Sequence, residues 1–184
     1  MEIDTMKKTI TAAFVSSVLT VSAMTVAHAA TSTTVNVIGT VNTATCDVVA
    51  NTQSVNLGNA KSGDFSAINT PVTSTKQQFA ISLQNCSGAG TGQAQLKVTG
   101  PVSSAGSSYF SKDPSSVVAV SLTDKTNSNE VSNGALINLG SASANDSALN
   151  SIQMPFEVAL KSSATSPSGG VVVEAPITFS FVYN

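Results

Sequence analysis

Few residues in this chain are equipped for chemistry. Among 184 residues there is one histidine, His28, and two cysteines, Cys46 and Cys86. All basic residues are lysine, and tryptophan is absent. A Ser-His-Asp or Cys-His arrangement needs an imidazole beside its nucleophile, and His28 is the only one. One histidine and two cysteines fall short of the usual ligand set of a zinc site. Beyond the N-terminal segment, the acids at 47, 64, 113, 124, 130, 146, 157 and 174 are scattered, with no spacing that pairs two carboxylates for glycoside cleavage. No SxxK motif supports a Ser-Lys dyad. Gly88-Ala89-Gly90-Thr91-Gly92 resembles a phosphate loop only in composition, because no helical pattern follows it. This vocabulary points away from an enzyme and calls for no cofactor or metal. The formal charge is −2, with lysines spread singly, so no basic stripe is available for nucleic acid.

The N-terminus reads as an address. Lys7 and Lys8 precede an apolar run from Ile10 to Val26, and Ala27-His28-Ala29 is a small-x-small site. That is the layout of a secretory signal peptide over residues 1–29. The competing reading is a membrane anchor, but Thr11, Ser16, Ser17, Thr20, Ser22 and Thr25 dilute the run and no positive stop follows it. Cleavage after Ala29 removes the only histidine and leaves the charge at −2. Two cysteines in an exported chain are most simply one disulfide. In the chain-entropy description a loop of this length contributes about 4 kcal/mol. A redox pair is the alternative, yet there is no CxxC and no neighbouring cation to lower a thiol pKa.

The remainder reads as short strands. Val35, Val37 and Val41 share a face, as do Phe79, Ile81 and Leu83, and then Val118, Val120 and Leu122. Leu136 to Leu139 is a short apolar piece. Ile152, Met154, Phe156, Val158 and Leu160 keep strict period two, and so do Ile177, Phe179, Phe181 and Tyr183. Such alternation predicts strands with one buried face. The connections are rich in Gly, Ser, Asn and Pro. Ser141 to Ser151 has room for a helical turn but little to bury. About seven to nine strands without an internal linker predict a single β-sandwich.

Several segments, taken in order, carry a family resemblance. They are Val35 to Val41 with Asn42, Ala44 and Cys46; Val55-Asn56-Leu57-Gly58; Phe79 to Cys86; Val117 to Asp124; Met154-Pro155-Phe156 through Leu160; and Gly169-Gly170 with Ala175 and the tail ending at Tyr183, the penultimate residue. With these the chain resembles the pilins of the chaperone–usher pathway, the major fimbrial subunits related to type 1 and P pili. The resemblance implies an all-β, incomplete immunoglobulin-like β-sandwich that lacks its last strand. It implies an N-terminal donor-strand extension over residues 30–42 and a pilin domain over 43–184. Val35, Val37 and Val41 would then fill apolar pockets of a neighbour, and Gly39 would sit where no side chain fits. Ile177, Phe179, Phe181 and Tyr183 would form the groove and the edge that faces a periplasmic chaperone. The implied partners are further copies in a head-to-tail polymer, that chaperone, an outer-membrane usher and other fimbrial subunits. The implied route runs through the periplasm to an extracellular fimbrium that supports cell adhesion.

Other readings accompany this one. By pattern alone, residues 30–42 read as the first strand of a closed sandwich; the resemblance turns the reading to a donor strand. A minor or adaptor subunit of the same fibre has the same features. A secreted carbohydrate-binding sandwich is a third possibility, weakened by two tyrosines and no tryptophan for sugar stacking. Two departures from the family pattern are Ile38, apolar where a polar residue is usual, and Pro176, which weakens pairing near the start of the last strand.

Overall fold

The computed structural model describes residues 44–141 and 143–184. The signal-peptide and donor-strand assignments, with Val35, Val37, Gly39 and Val41, lie outside the described residues.

Eight strands form two antiparallel sheets. They are β1 (Thr45–Ala50), β2 (Gln77–Ser87), β3 (Ala94–Thr99), β4 (Val118–Asp124), β5 (Asn129–Val131), β6 (Leu136–Asn138), β7 (Gln153–Ser162) and β8 (Thr178–Tyr183). One sheet has the order β1-β2-β7-β4-β5, the other β6-β3-β8. The alternating sequences account for their placement. Ile81 and Leu83 on β2 and Met154, Phe156 and Val158 on β7 are buried on one face of the larger sheet. Leu96 and Val98 on β3 are buried from the smaller sheet. Period-two side chains from facing sheets interdigitate into one core. Aromatic contacts tie the layers: the Phe179 ring of β8 lies 5.1 Å from that of Phe156 and 5.8 Å from that of Phe79 in the larger sheet.

Cys46 and Cys86 form a disulfide between β1 and β2. The pairing slips here, since Thr45 faces Ser87 whereas Asp47 faces Gln84. The extra residue is Asn85, at φ 51°, a left-handed conformation that Asn tolerates better than most side chains. Its side-chain amide donates to Asp47 Oδ2 at 2.8 Å. The bulge thus brings the two cysteines of the neighbouring strands face to face.

One helical turn, α1 (Asp146–Asn150), falls inside the segment expected to carry one. Asn145 caps it, accepting from Ala148 N, as a short polar side chain does at a helix start. The expectation that this turn has little to bury is corrected by Leu149, which is fully buried in the main core. The turn is also held to the end of β2, because Asn150 Oδ1 accepts from Cys86 N and Asp146 Oδ1 from Ala89 N. A single leucine suffices when the turn caps the end of a sandwich and does not lie along its face. No helix among the described residues is long and apolar enough to cross a membrane.

Candidate functional site

The smaller sheet ends on β8. This strand pairs with β3 from Thr99↔Thr178 to Ala94↔Tyr183, and its other edge has no strand partner among the described residues. Cα atoms of β1 and β8 approach within 8 Å, yet no ladder joins the two strands. An edge of this kind exposes a row of backbone donors and acceptors.

Upstream of β8 the chain keeps the alternation but pairs with no strand among the described residues. Val173, Ala175 and Ile177 are half-buried, while Val172, Glu174 and Pro176 point outward. Among the described residues, the one backbone hydrogen bond to Val171–Ile177 runs from Lys112 N to Glu174 O, at 2.7 Å. Among the described residues, the backbone donors of this stretch have no backbone acceptor. Pro176, lacking an N–H, sits just outside β8, where it costs no ladder bond.

Opposite lies a second unpaired stretch, residues 53–60. It turns its own polar groups inward, Gly58 N bonding Asn56 Oδ1 and Ser54 N bonding Thr52 Oγ1. Val55 and Leu57 are half-buried against the core. Between the two lips opens a groove of about 900 Å³. Its floor is the inner face of the larger sheet, where Val118, Val120 and Leu160 meet Phe65. The sheet of β6, β3 and β8 does not extend over this end. The one charged side chain on the groove wall, Glu174, is turned to Lys112 at 3.2 Å, and both are well exposed. The site has the chemistry of a slot for an apolar extended segment: an apolar floor, unpaired backbone on a lip, and no charge facing in.

Ile177, Phe179, Phe181 and Tyr183 occupy the inward face at and beyond this groove. Phe179 packs edge-on against Phe79 at 5.8 Å, and the Phe181 and Tyr183 rings stack at 6.3 Å. The three before Tyr183 are only half-buried, although they face the core. Among the described residues this edge strand thus carries a hydrophobic run that is only half-covered. Tyr183 is anchored differently. Its hydroxyl accepts from Gly90 N at 2.7 Å and Gly92 N at 3.0 Å. A Cβ on Gly92 would lie 2.5 Å from the Tyr183 ring, so the glycine loop closes over this side chain because it lacks one. The glycine loop is thus fastened to the end of β8.

A family model for fimbrial protein matches residues 32–184, most of the sequence. The chain belongs to the fimbrial protein family. No curated protein matches it. Among solved structures, this pilin is similar to the P pilus rod subunit PapA, with a TM-score of 0.55 at 16% identity over 82% of this chain and 99% of that one. A chaperone–usher pilus structure gives 0.49 at 18% identity, over 83% and 96% of the respective chains. The Burkholderia pseudomallei antigen and type I fimbria protein gives 0.44 at 17%, over 76% and 95%. The likeness to PapA shows a shared fold, the open pilin sandwich. The two lips of the groove, residues 53–60 and 171–176, did not emerge as site residues from strand periodicity. The alternation of Val171, Val173 and Ala175 into Ile177 is the signal that extends the site upstream of the predicted edge.

Proposed function

We propose that this pilin is the repeating shaft subunit of a surface fimbria and that it polymerises by donor-strand exchange. The observation that carries this reading is the groove beside Val171–Ile177: apolar at its floor, unpaired along its backbone among the described residues, and open beside an edge strand. Residues 30–42 of another copy supply the missing strand. Val35, Val37 and Val41 enter the groove, each side chain contributing about 1.5–3 kcal/mol if fully buried, and each backbone hydrogen bond adds about 0.5–1.5 kcal/mol. Gly39, on the same face, sits where no side chain fits. One extension and one groove per subunit give a heterologous contact that does not close, hence a filament.

Before assembly the same groove is covered by a periplasmic chaperone, and an outer-membrane usher passes subunits on to the extracellular fibre. Residues 1–29 direct export to that route. The fibre supports cell adhesion by extending from the surface. The P pilus rod subunit PapA, which shares the fold, is a shaft component of its own pilus.

The test is a subunit lacking residues 30–42. Alone it aggregates or unfolds. A synthetic 30–42 peptide restores a soluble folded domain, and the same peptide with Gly39→Arg does not. A truncated domain that stays folded unaided and gains nothing from the peptide overturns the reading.

A further inference from the structure

One buried nucleophile has no part in the groove. Lys161 follows Leu160 on β7, so its side chain leaves the opposite face of the sheet, and it is fully buried. Its Nζ lies 3.0 Å from Asn69 Oδ1 and 2.9 Å from Ser108 Oγ, touches Glu130 Oε1, and sits 4.0 Å above the Tyr109 ring. Asn69 is held to this spot by its backbone. It adopts φ 57°, and its N–H donates to Ser162 O at 2.8 Å, the residue after the lysine. Since a C=O bond is about 1.23 Å, the Asn69 carboxamide carbon lies within about 4.2 Å of the amine.

We propose that Lys161 and Asn69 are the partners of an intramolecular isopeptide bond, formed with Glu130 as the proton carrier. An amine, a carboxamide and a carboxylate are here held together by the fold, which is the condition for effective intramolecular reaction. Glu130 takes a proton from the Nζ ammonium, and the freed amine attacks Cγ of Asn69. The tetrahedral centre collapses as Glu130 returns a proton to Nδ2. The Cγ–Nδ2 bond breaks and the Nζ–Cγ bond remains; Glu130 then carries the second Nζ proton to the departing ammonia, which leaves as ammonium. One amide replaces another, so no oxidant or activating group is required, and Glu130 ends as it began. Asn69 is exposed to solvent, which gives the ammonia a way out. The bond would join the 62–75 loop to β7. This inference does not rest on strand exchange.

The experiment is mass spectrometry on the full chain exported by its own cells, denatured with the disulfide intact. The expected mass is short by one ammonia beyond the disulfide. Trypsin then fails to cut after Lys161 and yields a branched peptide joining 62–76 to 126–184. Glu130→Gln keeps a hydrogen-bonding side chain but removes the proton carrier, and its product should show the full mass. An unmodified wild-type mass with ordinary cleavage after Lys161 overturns the proposal. So does loss of ammonia without the branched peptide, which reports cyclisation at Asn69 alone. An unchanged crosslink in Glu130→Gln refutes the role given to Glu130.

Discussion

Val173 on the groove lip separates folding from strand binding. It is half-buried and packs against the small Phe65–Val72–Val118 cluster as well as the main core. In the open subunit an aspartate here keeps contact with water through the groove mouth. Folding then loses only part of a valine's burial, about 1 kcal/mol. Once a strand covers the groove, the same carboxyl is closed in among apolar side chains, with no basic group on the wall to pair it. Burying a polar group without a partner costs about 2–7 kcal/mol, and a value toward the lower end, about 3 kcal/mol, sets the minimum effect. At about 1.4 kcal/mol per tenfold, that weakens strand capture by roughly 100-fold or more. The assay refolds the subunit lacking residues 30–42 in increasing concentrations of the 30–42 peptide and records the native fraction. For Val173→Asp the midpoint peptide concentration rises at least 100-fold. The control is Val172→Asp, because Val172 is 92% exposed and its midpoint should not move. The folding loss alone accounts for less than a tenfold shift. A Val173→Asp midpoint within tenfold of the parent, or an equal shift for Val172→Asp, refutes the placement of the incoming strand.

Three further outcomes follow from the geometry. Tyr183→Phe removes the acceptor of Gly90 N and Gly92 N; both amides border solvent, so the loss is about 1–2 kcal/mol, read as a lower denaturant midpoint of the peptide-bound subunit. Cys46→Ser opens the disulfide with Cys86 and costs about 2–5 kcal/mol; exported yield, compared by quantitative blot, should fall sharply, and unchanged yield contradicts that estimate. The Lys76 ammonium, hydrogen-bonded to Glu157, holds its carboxyl below the ordinary range, with Lys125 adding a weaker attraction. A depressed folded-state pKa stabilises above the unfolded value of about 4.3 and is lost as pH falls through the folded value. Denaturant midpoints of Glu157→Gln should therefore lie below the parent near pH 7 and converge with it at strongly acidic pH.

What the sequence made legible follows from how far each signal reaches. Ile152 to Leu160 and Phe79 to Leu83 announce their strands because period two is a local property of a pleated chain facing one core. The same rule found the inward face of Ile177, Phe179, Phe181 and Tyr183, all on one side of the last strand. It did not reveal that three of these are only half-covered, since alternation reports which way a side chain points and not whether anything lies above it. The groove lips escaped for a related reason. Residues 53–60 and 171–176 are extended but unpaired, and an unpaired strand looks like a loop to any rule built on ladders. Lys161 was the least legible. A lysine in an alternating strand reads as a solvated outer residue, and its burial depends on Asn69, Ser108 and Glu130 arriving from three distant segments. The half-covered face of β8 and the buried amine share this character. Each is defined by what lies across space from a strand, so periodicity places the strand and tertiary structure decides what the strand is for.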